Sequence, residues 1–448
     1  MPAGESLFPA DQAAFTSGER LMHDMVRPAE EAAQLLEQYC DRLPEMLNWL
    51  SQFGKDPEGG VTRLLYSVSW LEAQEALRQW MEQEGLEADF DQTGNLAGRL
   101  RGTDPSLPAV AAGSHIDTVV NGGRYDGALG VAAAALALSY LSKVYGPPKR
   151  TLIALSLCEE EGSRFPVTYW GSGSIAGLRS WEADGHHADM DGIALLDAAK
   201  RCGFGPDSSY NAPFLELQAY IELHIEQGFV LEKTGLQAGI VSAIVGQYRY
   251  EIQLQGEANH AGTTPMQWRK DAMAAAGRMI ALTREAALRE GDPLVATVGS
   301  LHASPGLSNV VAGSVVFTVD IRHPDDAVLQ RFADELLQRF AHMADTEGVR
   351  FAAVERLRAA AVPMHDRIMR ELERICRKRG LASRVMPSGA GHDAQMLSAI
   401  CPTGMIFVPS RHGISHNPGE YTEPEALKNG FKILADVLYQ FGYGSVDL

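Results

Sequence analysis

An alternation of strands and helices, interrupted once and then resumed, is the sequence feature that most constrains the fold. Val110–His115 and Thr151–Leu157 are short, mostly apolar runs, and Gly130–Val144 between them has the small side chains of a helix packed closely on a sheet. A further strand pattern, Met405–Val408, lies near the end of the chain. This order predicts an α/β domain with segments from both sides of the interruption.

The middle of the chain has a different pattern, in the order β-α-β-β-α-β. Its predicted elements are Tyr248–Gln255, Asp271–Glu290, Val295–Leu301, Val315–Ile321, Asp326–Met343 and Val349–Val354. That order is typical of a small ferredoxin-like α+β domain with one antiparallel sheet. We therefore predict an N-terminal arm at residues 1–30, a discontinuous α/β domain at residues 31–234 and 358–448, and an inserted domain at residues 235–357.

The balance of charged residues argues against several classes of partner. Lys and Arg number 39 and Asp and Glu 57, so the net charge of −18 disfavours nucleic acid and anionic membrane surfaces. No apolar run reaches the roughly 20 residues of a membrane helix, and we find no pattern of a signal peptide. Five cysteines without CxxC spacing indicate reduced thiols. We expect a cytoplasmic protein. The negative net charge does not exclude a small anionic substrate, because binding one needs only one or two local arginines.

Residues able to carry chemistry follow the first predicted strand, at the edge of an α/β sheet where functional sites form. His115 and Asp117 alternate along this strand, so they can point the same way, as a metal-binding histidine and its supporting carboxylate do. Asp126 lies in a glycine-rich loop that can return its carboxylate to the same point. A polar strand end and a solvated turn would explain this segment alone equally well.

Three other segments carry candidate ligands. Glu159, Glu160 and Glu161 follow an apolar strand, and three adjacent carboxylates repel one another unless a cation or a proton neutralises them. His224 alternates with apolar neighbours, and His416 lies in a loop between turn residues. Taken singly, a solvated acidic loop and two histidines without a chemical role are the simpler interpretations.

As a set, these candidates suit metal ions. The set contains three imidazoles and two carboxylates, namely His115, Asp126, Glu161, His224 and His416. It would accommodate two divalent ions that share Asp126, and its chemistry favours Zn²⁺, Mn²⁺ or Co²⁺ over Ca²⁺ or Mg²⁺. Because such a pair of ions can activate a water molecule and polarise a carbonyl, the set indicates a hydrolase.

Five segments of the chain resemble the two-metal amidohydrolases, which are related to metallo-aminopeptidases and carboxypeptidases. The segments are GSHIDTVVNGGRYDGALGV, EEEGSRFP, ELHIEQG, GEANHAGTTP and GISHNPGE. The group includes allantoate deiminases, N-carbamoyl-L-amino-acid hydrolases and β-alanine synthases, and the resemblance extends from about residue 43 to the C-terminus. Further segments, FGKDPEGGVTRLLYS, VSAIVGQYRY, SGAGHDAQ and MIFVPS, are most similar to the allantoate deiminase branch, although the N-carbamoyl hydrolases share most of them.

The resemblance implies a dinuclear site that holds two divalent ions, Zn or Mn, in each subunit. Asp126 would bridge the ions, with His115 and His224 completing one and Glu161 and His416 the other. The inserted domain would act as a lid and as a dimerisation domain, so the resemblance also implies a homodimer.

The resemblance also implies roles for residues beyond the metal ligands. Glu160 resembles the general base, Asp117 would orient His115, and His260 would stabilise the oxyanion by reaching the site across the dimer interface. Six further positions match substrate-binding residues: Gln227, Asn309, Arg322, Gly389, Gly391 and His392. Arg322 is suited to holding a carboxylate of a small anionic ureido substrate through two hydrogen bonds, although a surface arginine and a loop histidine are the simpler interpretations of Arg322 and His260.

The activity implied by the resemblance is hydrolysis of the ureido C–N bond of allantoate, with ureidoglycine, ammonia and carbon dioxide as products. An N-carbamoyl-L-amino-acid hydrolase would have the same site with a different side-chain pocket. A metallopeptidase and a catalytically inactive binding relative are more remote alternatives, and the inactive relative would have lost the need for two metal ions.

Overall fold

The computed structural model describes residues 28–210 and 216–444. Residues 1–27 of the expected N-terminal arm lie outside the described residues. The helices α1 to α12 are Ala29–Leu50, Val68–Gln83, Ala128–Tyr145, Trp170–Ile175, Trp181–Asp184, Leu195–Arg201, Val230–Thr234, Ala272–Glu290, Asp326–Thr346, Asp366–Lys378, Asp393–Leu397 and Pro424–Tyr443. The strands β1 to β13 are Glu87–Phe90, Leu96–Leu100, Ala109–His115, Leu152–Leu157, Leu217–Ile225, Ala238–Ile244, Gly246–Gln255, Val295–Ser304, Ser314–His323, Arg350–Ala359, Val362–Pro363, Ser383–Ser388 and Thr403–Val408.

A nine-stranded mixed sheet forms the larger part of the molecule. Its strands follow the order β1-β2-β4-β3-β5-β13-β6-β11, and β12 pairs with β6. The neighbours β4, β3, β5 and β13 run parallel to one another. Because the carboxyl ends of these four strands meet at one edge, the loops that follow them are brought together. The α/β class expected from the sequence is confirmed.

Helix α3 packs against the centre of this sheet because its small side chains allow a close approach. A Cβ at Gly130 would lie 2.6 Å from the carbonyl oxygen of Leu223 and 2.7 Å from Cβ of Ser114, so only glycine fits where the helix crosses β3 and β5. The helix is long and apolar enough to cross a membrane, but 83% of that stretch is buried inside the protein. This burial is typical of a core helix.

A separate four-stranded antiparallel sheet is built from the middle of the chain. Its order is β10-β7-β9-β8, and α8 and α9 pack on it. The sheet and helices share an apolar core that includes Ile252, Met279, Phe317 and Phe340. The elements follow one another as β7-α8-β8-β9-α9-β10, which is the order expected of a ferredoxin-like unit.

The transition between the two sheets is short. Strand β6 pairs with β13, β11 and β12 of the nine-stranded sheet, and Val245 alone separates it from β7 of the four-stranded sheet. The four-stranded sheet therefore spans residues 246–359, and β6 belongs to the larger sheet although it lies within residues 235–357. The division into two domains, and the role of the second as a lid, stay predictions.

Candidate metal centre

The five predicted ligands lie at the carboxyl edge of the parallel strands. His115 is the last residue of β3, His224 is next to the last residue of β5, and Asp126 lies in the loop that leads into α3. Glu161 follows β4, and His416 lies in the loop after β13. Residues far apart in the sequence therefore meet because their strands are neighbours in the sheet.

Asp126 is the centre of the cluster. Its Oδ1 lies 3.2 Å from Nε2 of His224 and 3.8 Å from Nε2 of His115, whereas its Oδ2 lies 3.3 Å from Nε2 of His416. The same Nε2 of His416 lies 3.3 Å from Oε1 of Glu161. The residues thus form two groups that share Asp126, and within each group the possible ligand atoms lie within 4.8 Å of one another.

Backbone carbonyls fix the orientation of the two buried histidines. Nδ1 of His115 lies 3.0 Å from the carbonyl oxygen of Asp117, and Nδ1 of His224 lies 2.9 Å from the carbonyl oxygen of Ile225. Since a carbonyl can only accept a hydrogen bond, each Nδ1 carries a proton and each Nε2 is directed to Asp126. The Asp117 carboxylate is more distant, 3.8 Å from Nδ1 of His115, and accepts the N–H of Glu161 at 3.2 Å.

Side chains from two other loops hold the Asp126 carboxylate in place. Nε2 of Gln227 donates to its Oδ2 at 2.8 Å, and the Ser415 hydroxyl lies 2.8 Å from the same oxygen. Behind them, Oε1 of Glu420 accepts the backbone N–H groups of Tyr125 at 2.8 Å and Asp126 at 3.1 Å. The position of the central carboxylate is therefore set by both its side chain and its backbone.

The histidines of the cluster hold protons strongly because carboxylates surround them. Burial disfavours a charge on His115, but the carboxylates of Asp117 and Asp126 outweigh burial and raise the pKa of His115 to about 9. Hydrogen bonds to Asp126 and Glu161 raise the pKa of His416 to about 10. Burial opposes charge on Asp126 too, but hydrogen bonds from His224 and His416 hold its pKa well below the usual range. The cluster therefore favours bound positive charge.

Glu160 lies beside the ligand candidates and is 8% exposed. Its Oε2 lies 3.8 Å from Nε2 of His115. Burial and the carboxylates of Glu161 and Asp393 raise the pKa of Glu160 well above its usual range. A carboxyl group with high proton affinity next to possible metal ligands has the properties of a general acid or base.

The donor set fits divalent ions. Imidazole nitrogens and carboxylate oxygens are the ligands of Zn²⁺ and Mn²⁺ in proteins. The raised pKa values of His115 and His416 have the direction expected where carboxylates favour an added positive charge. In the described residues, Oε1 of Gln227 and Oδ1 of Asp117 are buried beside the cluster and have no hydrogen-bond partner. The site can therefore hold a metal centre.

The predicted substrate-binding segment Gly389–His392 borders the cluster. The His392 ring lies against the His224 ring with a centroid distance of 4.6 Å, and Nε2 of His392 lies 2.8 Å from the Ser388 hydroxyl. A Cβ at Gly391 would lie 1.9 Å from the Tyr169 hydroxyl, so only glycine allows the loop to approach this closely. The loop thus contributes backbone as well as an imidazole to the surroundings of the site.

Arg322 connects the four-stranded sheet to this loop. Its Nη1 donates to the carbonyl oxygen of Gly389 at 2.7 Å, while its Nε donates to Asp320 at 2.8 Å. His260 and Asn309 lie in the same unit and are exposed. Across residues 28–210 and 216–444, no hydrogen bond or ion pair joins these two side chains to the metal-ligand candidates. The structure therefore brings Arg322 to the edge of the site and leaves His260 and Asn309 on the surface.

Several supporting residues were not identified from the sequence although they lie in the recognised segments. Ser415 and Glu420 belong to GISHNPGE, Glu222 begins ELHIEQG, and Asp393 lies in SGAGHDAQ. Glu222 accepts hydrogen bonds from the Ser114 hydroxyl and the backbone N–H of residue 394, and it forms a third possible ligand group with His224 and His392. The one signal in the sequence that could have identified these four residues was their position inside the long recognised motifs.

Comparison with known proteins gives a consistent result. Residues 111–440 match the Peptidase family M20/M25/M40. The chain is 46% identical to the allantoate amidohydrolase of Escherichia coli (strain K12) over 409 residues, which cover 91% of this chain and 100% of that protein. It is 38% identical to an N-carbamoyl-L-amino acid amidohydrolase of Geobacillus stearothermophilus over 407 residues, 90% of this chain and 99% of that protein. A solved amidase of the hydantoinase/carbamoylase family from Burkholderia multivorans superposes with a TM-score of 0.87 at 33% identity, covering 91% of this chain and 98% of that structure.

Proposed function

The chain belongs to the Peptidase family M20/M25/M40, and we propose that it is a metal-dependent amidohydrolase that cleaves the ureido C–N bond of allantoate. The observation that carries this proposal is the convergence of three imidazoles and two carboxylates, with Asp126 at their centre, at the carboxyl edge of the sheet. The products would be ureidoglycine, ammonia and carbon dioxide. The identity of 46% with an allantoate amidohydrolase, against 38% with an N-carbamoyl hydrolase, supports the choice of substrate.

Two divalent ions, Zn²⁺ or Mn²⁺, are the cofactor that we propose. The two ligand groups share Asp126, so this carboxylate would be common to both ions, with His115 and His224 on one side and Glu161 and His416 on the other. When bound, such ions lower the pKa of a water molecule and polarise a carbonyl oxygen. The protons that the raised pKa values keep on His115 and His416 would be released when the metal ions bind.

Glu160 would move the proton of the reaction. Its carboxyl group is buried, it adjoins the ligand Glu161, and its oxygen lies 3.8 Å from His115. Glu160 would take a proton from the attacking water and then give it to the leaving nitrogen, so that one residue acts first as base and then as acid.

Arg322 would hold the carboxylate of the substrate. Asp320 fixes one side of its guanidinium, while Nη1 reaches the loop that carries Gly389 and His392 beside the cluster. This arrangement places a fixed positive charge at the boundary between the two sheets. A substrate held there by its carboxylate would present its ureido group to the metal ligands.

The exposed position of His260 supports a role in a closed or dimeric state. A side chain that stabilises the oxyanion must reach the reacting carbon, so closure of the four-stranded unit or a second subunit would have to bring His260 to the site. Strand β8 forms the edge of the four-stranded sheet and is mostly exposed, which offers a surface for a second copy. We therefore include a homodimer in the proposal.

The proposed location is the cytoplasm. All five cysteines lie within the described residues and are free, and four of them are buried. Free buried thiols are typical of proteins in a reducing compartment.

Ammonia release from a panel of ureido compounds tests the proposed function. The protein is stripped of metal, reloaded with Mn²⁺ or Zn²⁺, and compared with the stripped protein as its control. Preference for allantoate with activity restored by metal is the expected result. A preference for N-carbamoyl-L-amino acids would keep the mechanism and change the substrate, whereas loss of activity on every ureido compound would contradict the proposal.

A further inference from the structure

A polar cavity of about 470 Å³ lies beside the loop that leads to Asp126. It is lined by the end of α1 and the segment that follows, by residues 122–124, by Arg411 and by residues 418–421. None of the five metal-ligand candidates lines it. Its volume is within the range of roughly 300–1,000 Å³ that is usual for small-molecule sites. The cavity is therefore large enough for a ligand and separate from the cluster around Asp126.

The charges that line the cavity are mainly positive. Lys55, Arg124 and Arg411 face a single lining carboxylate, that of Glu420. Glu420 is 4% exposed, and its Oε1 accepts the backbone N–H groups of Tyr125 and Asp126. The only lining carboxylate is therefore buried and directed to the Asp126 loop, and the positive charges dominate the space that a ligand can reach.

Two of these cations are held against aromatic rings. The guanidinium of Arg124 lies 5.0 Å from the ring centroid of Tyr125, and that of Arg411 lies 3.9 Å from the ring centroid of Tyr421. The two tyrosine rings are themselves in edge-to-face contact, with centroids 6.1 Å apart. Stacking restricts the arginine side chains, so less conformational entropy is lost when they bind a ligand.

The cations differ in how far they are already neutralised. Arg411 forms an ion pair with Glu423, and both side chains are about half exposed. Arg124 instead donates to the neutral amide oxygen of Asn48 at 2.9 Å. Within the described part of the chain, no carboxylate pairs with Arg124 or Lys55, so two positive charges remain available to a ligand.

We propose that this cavity binds a small anion that presents two or more oxygens on one centre, as a phosphate or a carboxylate does. The guanidinium of Arg124 can bind such a group through two parallel hydrogen bonds, and the Lys55 ammonium adds a second charge. Most of the remaining lining is glycine and polar side chains rather than apolar groups, which favours a compact, hydrated anion over an apolar ligand.

Isothermal titration calorimetry of the metal-loaded protein tests this site. Inorganic phosphate and malonate are titrated separately at constant ionic strength. A titration with sodium chloride is the blank and should give no binding heat. We expect Lys55→Gln combined with Arg124→Gln to weaken binding at least tenfold. Arg331→Gln removes one positive charge from α9, where Arg331 pairs with Glu290 at the end of α8; it is the control for charge alone and should bind as the parent does.

Repeating the titration after chelation of the metal separates this cavity from the metal centre. A phosphate bound by metal ions would be lost with them, whereas binding in the cavity should remain since no ligand candidate lines it. Binding of phosphate but not malonate, or the reverse, assigns the class of anion. Equal affinity of the parent and double variant would overturn the proposal, as would binding that disappears with the metal. Lys55→Gln alone changes an exposed residue and tests the site if the double variant does not fold.

Discussion

Replacing Gly123 by alanine should loosen the central carboxylate of the metal centre. A Cβ at Gly123 would lie 2.0 Å from Oε1 and 2.1 Å from the carboxyl carbon of Glu420, so that side chain must move. Glu420 now accepts the backbone N–H groups of Tyr125 at 2.8 Å and Asp126 at 3.1 Å and lies 3.0 Å from the Ser415 hydroxyl. Movement of Glu420 therefore removes the acceptor that fixes the backbone of Asp126.

The size of the effect follows from the donors left without a partner. Each buried donor that loses its partner costs about 1–3 kcal/mol, so two backbone N–H groups give about 2–6 kcal/mol. Partial relaxation of the Gly122–Asp126 loop reduces this sum, and we expect Gly123→Ala to lower the free energy of unfolding by about 2–4 kcal/mol. Metal affinity should fall by about 10–100-fold, as is usual when support of a ligand is lost.

Urea unfolding and competition with a chelator for bound Zn²⁺ measure the two effects. Gly277→Ala is the control, because a Cβ at that position in α8 has nothing within 4 Å and glycine is a poor helix former. This control should keep its metal affinity and gain up to about 1 kcal/mol of stability. If Gly123→Ala kept both the stability and the metal affinity of the parent, the supporting role assigned to Glu420 would be wrong.

Three further predictions concern catalysis and pH. Glu160→Gln should retain its metal but lose about 10²–10⁴-fold in kcat, measured by ammonia release beside metal analysis, and loss of metal with full activity after resupply would contradict its role as base. Arg322→Ala should raise KM for allantoate, whereas an equal loss on an uncharged urea analogue would refute a role in binding the carboxylate. In metal-free protein, the His115 pKa of about 9 gives stability that is fully present below about pH 6.5 and is lost as the pH rises through 9. Thermal unfolding from pH 6 to 10 should therefore show a falling midpoint without metal, and a flat profile would contradict the electrostatic account.

The amphipathic helices of the four-stranded unit were predicted closely because their ends carry local signals. Helix α9 begins after Asp325, whose side chain accepts the N–H groups of residues 327 and 328, and α8 begins in the same way after Asp271. Such caps and the spacing of apolar residues are visible in the sequence itself. Strand β6, by contrast, is an apolar run next to β7, and nothing local indicates that it pairs with β13 of the other sheet.

The site was predictable to the extent that strand order determines it. His115 and His224 end neighbouring parallel strands, so their convergence follows once β3 and β5 are paired. The partners of Nδ1 were not predictable, because Nδ1 of His115 donates to the backbone carbonyl oxygen of Asp117, whose position depends on the turn of the loop. Glu420 was missed for a similar reason, since its partners lie almost 300 residues earlier in the chain.

The carboxylates near the metal centre differ in whether the protein donates hydrogen bonds to them. Glu159 accepts the N–H groups of residues 164 and 165, Glu222 accepts a hydroxyl and an N–H, and Glu420 accepts two N–H groups. These donors hold the three carboxylates in place, but burial still raises the pKa of Glu159 to about 8 and that of Glu420 to about 7. Glu160 and Glu161, in the described residues, accept no hydrogen bond from backbone or hydroxyl groups, and their oxygens lie 3.8 Å from Nε2 of His115 and 3.3 Å from Nε2 of His416 respectively. Because a buried carboxylate without protein donors is costly, a metal ion or a transferable proton beside Glu160 would stabilise it.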